Sequence, residues 1–320
     1  MKVTSRSKGL IWSFFGVLIL SPDALLIRLV DLGDFTLIFY RGIFPPITII
    51  LFLIYFYKGN FLRSFFNMGI AGIVYAILYS IIHMTFVFSI QLTSVANTLV
   101  LIASAPIFAA ILSLIFLKER PKTFTWVVIF FAFVSMIIIG WGSYTTTGFL
   151  GDFFALLTGL GMAASTILAR FYKKKDFVPA CFIGCLLTAI YSFPLIEDLT
   201  INTSQMINLS IMCFIILPIP FMIITITPRF APSYEVALIF LLESVLGTLW
   251  VWLAINEEPS INTLVGGIML LAESTSPGQA LGEVLEGKEI LFDVEITPNR
   301  GDWLSHVGLA RELTHTLFAD

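Results

Sequence analysis

The chain has 320 residues, of which 58% are hydrophobic and 12% are charged, and its mean hydropathy is +0.96. Soluble domains carry about 25% charged residues, because a surface that faces water needs them. The composition therefore excludes an ordinary soluble protein and indicates that lipid surrounds most of the chain. The net charge of −3 gives no indication of a nucleic-acid partner.

Apolar runs of membrane-spanning length recur along the chain. A helix needs about 20 apolar residues to cross about 30 Å of hydrocarbon. The runs predict nine spans, at residues 9–29, 35–57, 67–90, 94–117, 123–142, 149–171, 177–196, 207–227 and 232–255. A tenth run begins at Ser260 and ends at Ala272, which corresponds to about 20 Å of helix and predicts a truncated last span.

Basic residues are distributed unevenly between the connections. With the N-terminus in the cytosol, the inner connections hold thirteen Lys and Arg residues, and the outer connections hold only Arg28. The positive-inside rule therefore predicts a multi-pass protein of the bacterial inner membrane with a cytoplasmic N-terminus.

Two segments of the chain share a pattern. Residues 93–121 and 231–259 align without a gap at an offset of 138, and each runs through about twenty apolar positions to a Glu-X-Pro sequence. The second segment lies five helices after the first, so the two run in opposite directions. This indicates two five-helix halves, at 8–142 and 149–272, arranged as the inverted repeats of secondary transporters.

Three stretches resemble the signatures of EamA-type members of the drug/metabolite transporter superfamily. They are TSVANTLVLIASAPIFAAILSLIFLKERP at 93–121, FYRGIFPPITIILFL at 39–53 and EVALIFLLESVLGTLWVWLAINEEPS at 235–260. The resemblance covers about 8–272 and implies an all-α bundle of ten helices, the last truncated, around a central cavity. It also implies export of amino acids or similar small metabolites, without specifying the substrate.

Glu243 is the ionisable residue with the greatest predicted depth. It lies fourteen residues from Arg229 and thirteen from Asn256, which places it near the midplane of a straight helix. Burial favours the protonated carboxyl, so Glu243 could carry a coupling proton or hold a cationic amine. The alternative is a protonated glutamate that only hydrogen-bonds a neighbouring helix.

A second group of ionisable residues is predicted nearer the outer face. Asp23, Arg41 and His83 all fall roughly 9–12 Å below the outer boundary. This depth permits an Asp23–Arg41 pair with His83 nearby, and Pro22 predicts a kink beside Asp23. The pair could be a gate or a docking point for the two ends of a zwitterion. The alternatives are a structural ion pair, snorkelling of Arg41 and an ordinary polar contact of His83.

Further candidates are polar or aromatic residues within the predicted spans. Asn97 and Glu235 occupy equivalent positions in the repeated segments. The remaining candidates are Tyr79, Trp250, Tyr40 and Ser104. Three cysteines in apolar segments, Cys181, Cys185 and Cys213, are predicted to be packing thiols.

The chain carries no recognisable catalytic constellation. It has no Gly-rich phosphate loop with a following Lys, no Ser/His/Asp grouping and no His/Cys cluster at metal-ligand spacing. We therefore expect no enzyme and no cofactor, and transport driven by a gradient, with protons as a candidate coupling ion. The expected mechanism is rocking of the two halves about a central site.

The last part of the chain differs in composition from the rest. Residues 273–320 alternate as FDVEI, turn at TPNRGD and continue as an amphipathic LSHVGLARELTHTLF, which predicts a short α+β soluble tail. From about 276 onward the tail resembles a fragment of the bacterial phenylalanyl-tRNA synthetase β chain, through PG at 277–278, VEITPNR at 294–300 and GLAREL at 308–313. It brings none of that family's catalytic residues.

The break at 272/273 predicts a junction between two unrelated coding sequences. The alternative is a divergent cytosolic tail on an ordinary transporter. Two main functional hypotheses follow: a metabolite exporter with a truncated last helix, and a membrane protein whose transport is lost with the missing turns. A membrane-tethered aminoacylation factor is the weakest hypothesis, because nothing in the chain could bind ATP.

Overall fold

The computed structural model describes residues 5–118, 146–231, 236 and 239–259, and these ranges contain helices and no strand. The α-helices are α1 (Ser5–Leu20), α2 (Asp23–Val30), α3 (Asp34–Ile43), α4 (Pro45–Tyr57), α5 (Phe61–Leu92), α6 (Val95–Ile102), α7 (Ala105–Leu112), α8 (Thr146–Phe171), α9 (Val178–Ser192), α10 (Thr203–Ile211), α11 (Pro218–Ile226) and α12 (Leu241–Ile255). Short 3₁₀ or π segments cover Lys58–Asn60, Ser113–Leu117, Phe193–Leu195, Met212–Ile216 and Thr227–Arg229. The predicted span at 123–142, the tenth run, Glu235 and the α+β tail lie outside the described residues.

Six helical stretches of the described residues are long and apolar enough to cross a membrane. They are Lys8–Val30, Asp34–Leu92, Val95–Leu117, Gly148–Phe171, Val178–Leu195 and Thr203–Arg229, and Leu242–Ile255 is a shorter apolar helix. All of them coincide with predicted spans. The chain is thus a multi-pass, all-helical membrane protein over the described residues, and the number ten stays a prediction.

The stretch Asp34–Leu92 is too long for one crossing. Its 59 residues would extend about 90 Å as a straight helix, three times the thickness of the hydrocarbon. The chain turns at Lys58–Asn60, where Lys58 adopts a positive φ of 49°. We therefore assign two crossings to this stretch, as the spans at 35–57 and 67–90 predict.

Prolines break several of the spans. Pro22 separates α1 from α2, as predicted, and hydroxyl groups satisfy carbonyls that proline leaves free. Ser21 Oγ donates to the Leu18 carbonyl at 2.9 Å, and Thr48 Oγ1 donates to the Phe214 carbonyl, four residues before Pro218, at 3.1 Å. Breaks of this kind are tolerated at membrane depth only where other groups replace the lost hydrogen bonds.

The packing of the helices separates a core from a lipid-facing surface. Helix α5 lies against α8 and α9, α1 lies against α11, and α12 lies against α2 and α6. The predicted packing thiols Cys181, Cys185 and Cys213 are buried and unpaired as disulfides. Large apolar side chains such as Phe66, which is 84% exposed, face outward. This inversion of the usual soluble pattern fits a lipid environment.

Candidate substrate cavity

A small cavity lies where eight helices approach one another. Its volume is about 20 Å³, enough for about one water molecule. Helices α1, α2, α3, α5 and α6 supply one part of its wall, and α8, α11 and α12 supply the other. The lining residues are Leu20, Asp23, Arg41, Ile82, His83, Phe86, Ile102, Thr158, Met162, Phe221 and Glu243. Both predicted halves of the chain therefore contribute to this wall.

The predicted Asp23–Arg41 pair forms one side of the cavity. Arg41 donates two parallel hydrogen bonds to the Asp23 carboxylate, at 2.7 and 2.8 Å, and both side chains are buried. Asp23 is the first residue of α2 and Arg41 lies in the last turn of α3. Each charge thus lies at the helix end whose dipole stabilises it. The paired geometry excludes the alternative that Arg41 snorkels to the headgroups.

Arg41 has further neighbours and one unsatisfied donor. Nη1 also contacts the Met212 sulfur at 3.1 Å, and the guanidinium lies 5.8 Å from the centre of the Phe86 ring. Nε is buried without a hydrogen-bond partner among the described residues. An unpaired buried donor of a cation is costly, so Nε is a candidate contact for an anionic group of a ligand.

Glu243 forms the opposite side of the cavity. It lies in the first turn of α12, is 7% exposed and lines the cavity together with Asp23. Its side chain makes no hydrogen bond or ion pair with the part of the chain that the structure describes. Its carboxyl group is therefore directed at the cavity rather than held by a neighbouring helix, which weighs against the purely structural alternative.

The four ionisable candidates meet at one cavity, whereas counting residues along the spans placed Glu243 apart from the other three. The count assumed one straight helix from Arg229 to Asn256, but α12 begins only at Leu241. The chain also breaks at Pro22, beside Asp23, and after α3, which carries Arg41.

His83 lines the cavity with both ring nitrogens unsatisfied. The side chain is 2% exposed, and its ring lies 4.4 Å from the Tyr79 ring and 5.0 Å from the Phe221 ring. Neither Nδ1 nor Nε2 has a hydrogen-bond partner among the described residues. Most buried polar groups have partners. His83 is therefore a candidate for hydrogen bonding to a substrate.

Two further candidates support the cavity without lining it. Tyr79 is buried beside His83, with 4.4 Å between the two ring centres, and its hydroxyl has no hydrogen-bond partner among the described residues. Trp250 donates from Nε1 to Ser21 Oγ at 3.0 Å, and Ser21 in turn donates to Leu18. The indole therefore ties α12 to the proline break between α1 and α2.

The other candidates lie away from the cavity. Asn97 bonds locally at the start of α6, where its backbone N–H donates to Ser94 Oγ at 3.1 Å. The Tyr40 hydroxyl donates to the Leu199 carbonyl at 2.7 Å. Ser104 Oγ donates to a carbonyl one turn back along the chain. None of these three residues is among those that line the cavity.

An ion cluster joins the ends of α2, α6 and α12, and its glutamate, Glu257, belongs to the Glu-X-Pro sequence of the second repeated segment. We name it the Arg28–Glu257 cluster, and it also includes Thr93 and Val95. Arg28 Nε lies 3.3 Å from the Glu257 carboxylate, and Arg28 Nη2 donates to the Thr93 carbonyl at 3.1 Å. Glu257 accepts from the Val95 backbone N–H at 2.9 Å. Arg28 is the single basic residue that the sequence assigns to the outer connections.

A second ion cluster joins the opposite ends of neighbouring helices. In the Asp176–Arg229 cluster, Arg229 donates to Asp176 at 2.8 Å, and the Val178 N–H donates to the same carboxylate at 3.1 Å. The Tyr57 hydroxyl donates to its other oxygen. Helices α3 and α4 run from the neighbourhood of Arg28 to that of Asp176, so the two clusters lie at opposite ends of the bundle.

Comparison with known proteins identifies the family. The sequence model of the EamA-like transporter family matches residues 7–141 and again residues 149–272. The chain belongs to the EamA-like transporter family. The two matched ranges nearly coincide with the two halves predicted from the repeated segments. Membership of this family agrees with the long apolar helices of the described residues.

Individual relatives agree with this assignment. The chain is 27% identical over 179 residues to the uncharacterized transporter YdfC of Bacillus subtilis, covering 53% of this chain and 58% of YdfC. It is 27% identical over 158 residues to an uncharacterized transporter of Helicobacter pylori, covering 48% and 52%. The chain thus spans little more than half of these relatives. One crystal structure matches with a TM-score of 0.62 over 84% of this chain and 96% of its own, at 14% identity, which shows a shared fold alone.

The C-terminal region has different relatives. It is similar to the phenylalanine–tRNA ligase β subunit, with 42% identity over 61 residues in the protein of Anaeromyxobacter dehalogenans and 51% over 47 residues in that of Chlorobaculum tepidum. These matches cover 8% and 6% of the ligase chains. The resemblance of the tail to a short ligase fragment is therefore confirmed.

Proposed function

We propose that this EamA-like protein exports amino acids or similar small metabolites across the bacterial inner membrane by alternating access. The observation that carries the proposal is the meeting of Glu243, the Asp23–Arg41 pair and His83 at one buried cavity. Ionisable groups at membrane depth are costly and commonly mark substrate and ion pathways. Their convergence between two predicted repeats matches the place where secondary transporters bind their substrates.

The chemistry of the cavity suits a small zwitterion. Glu243 and Asp23 supply acceptors for a protonated amine, and the free Nε–H of Arg41 supplies a donor for a carboxylate. His83 offers two ring nitrogens without partners, and Phe86 and Phe221 form apolar walls for a side chain. An amino acid carries all these complementary groups within a few ångströms.

The described conformation is closed to such a substrate. Ligand sites commonly measure about 300–1,000 Å³, far more than the 20 Å³ of this cavity. The Arg28–Glu257 cluster and the Asp176–Arg229 cluster are both formed. In an alternating-access cycle, one cluster would open while the other stays closed. On the orientation predicted from the basic residues, the Arg28–Glu257 cluster is the outer gate.

Glu243 also suits the coupling of transport to protons. It lacks a fixed hydrogen-bond donor among the described residues, so its carboxyl group is free to exchange a proton for a cationic amine. Substrate export would then accompany proton entry, and no nucleotide would be needed. We assign this coupling role to Glu243 rather than to Asp23, because Arg41 holds Asp23 in a bidentate pair.

Efflux from vesicles tests the proposal. Vesicles loaded with each radiolabelled amino acid should release at least one of them faster through the wild-type protein than through empty membranes. Glu243→Gln should lower that rate to the background while the protein stays folded. Glu258→Gln provides the matched control, because Glu258 is exposed and lies outside the cavity. Equal rates for wild type, Glu243→Gln and empty vesicles would contradict the proposal.

A second candidate is a transport-inactive product of a chimeric junction. It is supported by the end of the family match at residue 272 and by the ligase-like relatives of the C-terminal region. Sequencing of the source DNA across codons 255–290 tests the junction. A reading frame that runs unbroken through Ala272 into Glu273 would establish a true fusion, and a broken frame would restore a full tenth helix.

If the fusion is real, transport by the full chain and by residues 1–272 separates the two candidates. Equal efflux by both would show that the tail is dispensable. Absence of efflux from both, with normal folding, would favour the inactive product.

A further inference from the structure

A second cavity lies beside the Asp176–Arg229 cluster, away from the candidate substrate site. Its volume is about 380 Å³ and it opens at the surface. We name it the basic pocket, and its lining residues are Tyr57, Asn60, Arg63, Ser64, Asn67, Lys174, Lys175 and Asp176. It is much larger than the substrate cavity, and its wall consists of polar and charged side chains with one aromatic residue.

A break in helix α5 creates the pocket. Gly69 adopts a φ of 58°, which separates the first turns, Phe61 to Met68, from the rest of the helix. Lys175 Nζ donates to the Met68 carbonyl at 3.1 Å, so the turn between α8 and α9 is fastened to this break. A side chain at position 69 would be strained by the positive φ and would approach Lys175 Nζ to 3.1 Å. The pocket is therefore a built feature of the backbone rather than a gap between loose side chains.

The pocket attracts anions. Arg63, Lys174 and Lys175 bring three positive charges, whereas the one acidic residue, Asp176, is neutralised by Arg229 at 2.8 Å. Asn60 and Asn67 add amide donors that can turn towards an oxygen-rich group, whereas the Ser64 hydroxyl donates to the Phe61 carbonyl. Several cations with neutral donors in a concave site fit a phosphate group, which presents several acceptor oxygens at once.

The flank of the pocket is apolar. On the turns that carry Arg63 and Asn67, the neighbouring positions Leu62 and Phe66 form a stripe at i and i+4. Phe66 is 84% exposed, and Ile70, directly after the break at Gly69, is 80% exposed. These side chains face the bilayer, so a lipid can place its phosphate in the pocket and its acyl chains along this stripe, whereas a soluble phosphate compound would use the pocket alone. The source of the phosphate is thus a lipid rather than a solute.

We propose that the basic pocket binds the headgroup of an anionic phospholipid. Basic pockets between membrane helices on the cytoplasmic side bind such headgroups in other proteins. Tyr57 and Asp176 belong both to this pocket and to the Asp176–Arg229 cluster. A bound headgroup therefore packs against one end-cluster of the bundle and stabilises its closed arrangement. The binding itself does not depend on the transport proposal.

Lipid titration of the purified full chain tests the proposal. In neutral phosphatidylcholine nanodiscs, added phosphatidylglycerol should bind with a stoichiometry near one at the tightest site, as counted by native mass spectrometry. The double variant Arg63→Gln/Lys174→Gln should bind about twenty-five-fold more weakly, since each cation near a membrane surface contributes about a fivefold factor.

A matched variant separates the pocket from general surface attraction. Lys58→Gln/Lys173→Gln removes the same charge from the same connections but from outside the pocket lining. It should keep phosphatidylglycerol binding within about twofold. Equal losses in the two double variants would overturn the pocket and leave only non-specific attraction to the membrane. Because either double variant could be unstable, Asn67→Leu supplies a further test that alters no charge and should weaken the tightest site several-fold.

Competition by water-soluble phosphates distinguishes a lipid headgroup from a soluble phosphate compound as the ligand of the basic pocket. Glycerol 3-phosphate and inorganic phosphate should compete with phosphatidylglycerol only at concentrations at least a hundredfold higher, on the order of the loss expected when acyl chains are removed. Competition at equal concentration would overturn the assignment to a lipid and identify a soluble phosphate site instead.

Discussion

Helix α2 carries two ion pairs that differ in almost every physical property. At its first residue, Asp23 pairs with Arg41 through two hydrogen bonds of 2.7 and 2.8 Å, and both side chains are almost fully buried. In its last turn, Arg28 lies 3.3 Å from Glu257, and each side chain is 26% exposed. The first pair is a fixed part of the cavity wall, whereas the second can be exchanged for water. Helix α2 therefore joins a buried ion pair in the cavity wall to a partly exposed ion pair that water can replace.

The energetic difference follows from solvation. Removing one partner of a buried pair leaves an unpaired charge and costs about 3–5 kcal/mol, whereas an exposed pair contributes about 0–1 kcal/mol. The Arg28–Glu257 and Asp176–Arg229 pairs are similarly exposed, so breaking either ion pair has a similar small cost. Near-equality of this kind is what an alternating-access cycle requires.

The largest expected effect is on the buried pair. Asp23→Asn should lower the free energy of unfolding by about 3–5 kcal/mol, because Arg41 is left buried with a neutral partner. Unfolding in mixed micelles, followed by circular dichroism, measures this change. The double variant Asp23→Asn/Arg41→Gln should recover much of the loss, as a double-mutant cycle detects. A loss below about 1 kcal/mol for Asp23→Asn would place this pair in the same class as Arg28–Glu257.

A smaller effect is expected at the two end clusters, and it should depend on the side of the membrane. With Thr158→Cys as a reporter in the cavity wall, Glu257→Gln should raise the rate of labelling by an impermeant maleimide from outside by roughly fivefold, the equivalent of about 1 kcal/mol. Asp176→Asn should raise the rate of maleimide labelling from inside by a similar factor. Right-side-out vesicles measure the rate from outside, and inside-out vesicles measure the rate from inside. Labelling of the wild type, whose three native cysteines are buried, gives the background to subtract.

Labelling that rises on the same side for both variants would contradict the assignment of the clusters to opposite gates. Reversed sides would instead contradict the orientation predicted from the basic residues.

The smallest expected effect is at the break between α1 and α2. Trp250→Phe removes the hydrogen bond to Ser21 but keeps an aromatic ring, and should lower the free energy of unfolding by about 1 kcal/mol. The same micelle unfolding experiment measures it. Trp252→Phe is the control, because this exposed indole lies on the same helix. Equal losses at both positions would remove any special role for the Trp250–Ser21 contact.

Much of the fold could be predicted from local patterns. The lengths of the apolar runs predicted the spans that the described residues contain, and Pro22 predicted the break beside Asp23. Both predictions depend only on residues that are neighbours in the sequence. The Asp23–Arg41 pair could also be predicted, because two opposite charges at similar depth in lipid are strongly stabilised when they form an ion pair. The family match at 7–141 and 149–272 agrees with the repeat seen in the Glu-X-Pro pattern.

Contacts between distant segments could not be predicted in this way. The convergence of Glu243 with Asp23 depends on where α12 begins and on the angle at each break, which residue counting does not contain. Asp176 has no sequence signal, since it follows three lysines in what resembles a plain inner connection, and only the fold brings Arg229 and Tyr57 to it. The basic pocket depends on the positive φ of Gly69, and no sequence motif predicted this conformation.

The central claim is that the cavity between Glu243 and the Asp23–Arg41 pair is the transport site, and substrate protection tests it most directly. In vesicles, the amino acid that shows the fastest efflux should slow maleimide labelling of Thr158→Cys at least fivefold, and Glu243→Gln should abolish that protection while Glu258→Gln retains it. Labelling that proceeds at the same rate with and without the exported amino acid, in a variant that still transports it, would contradict the account.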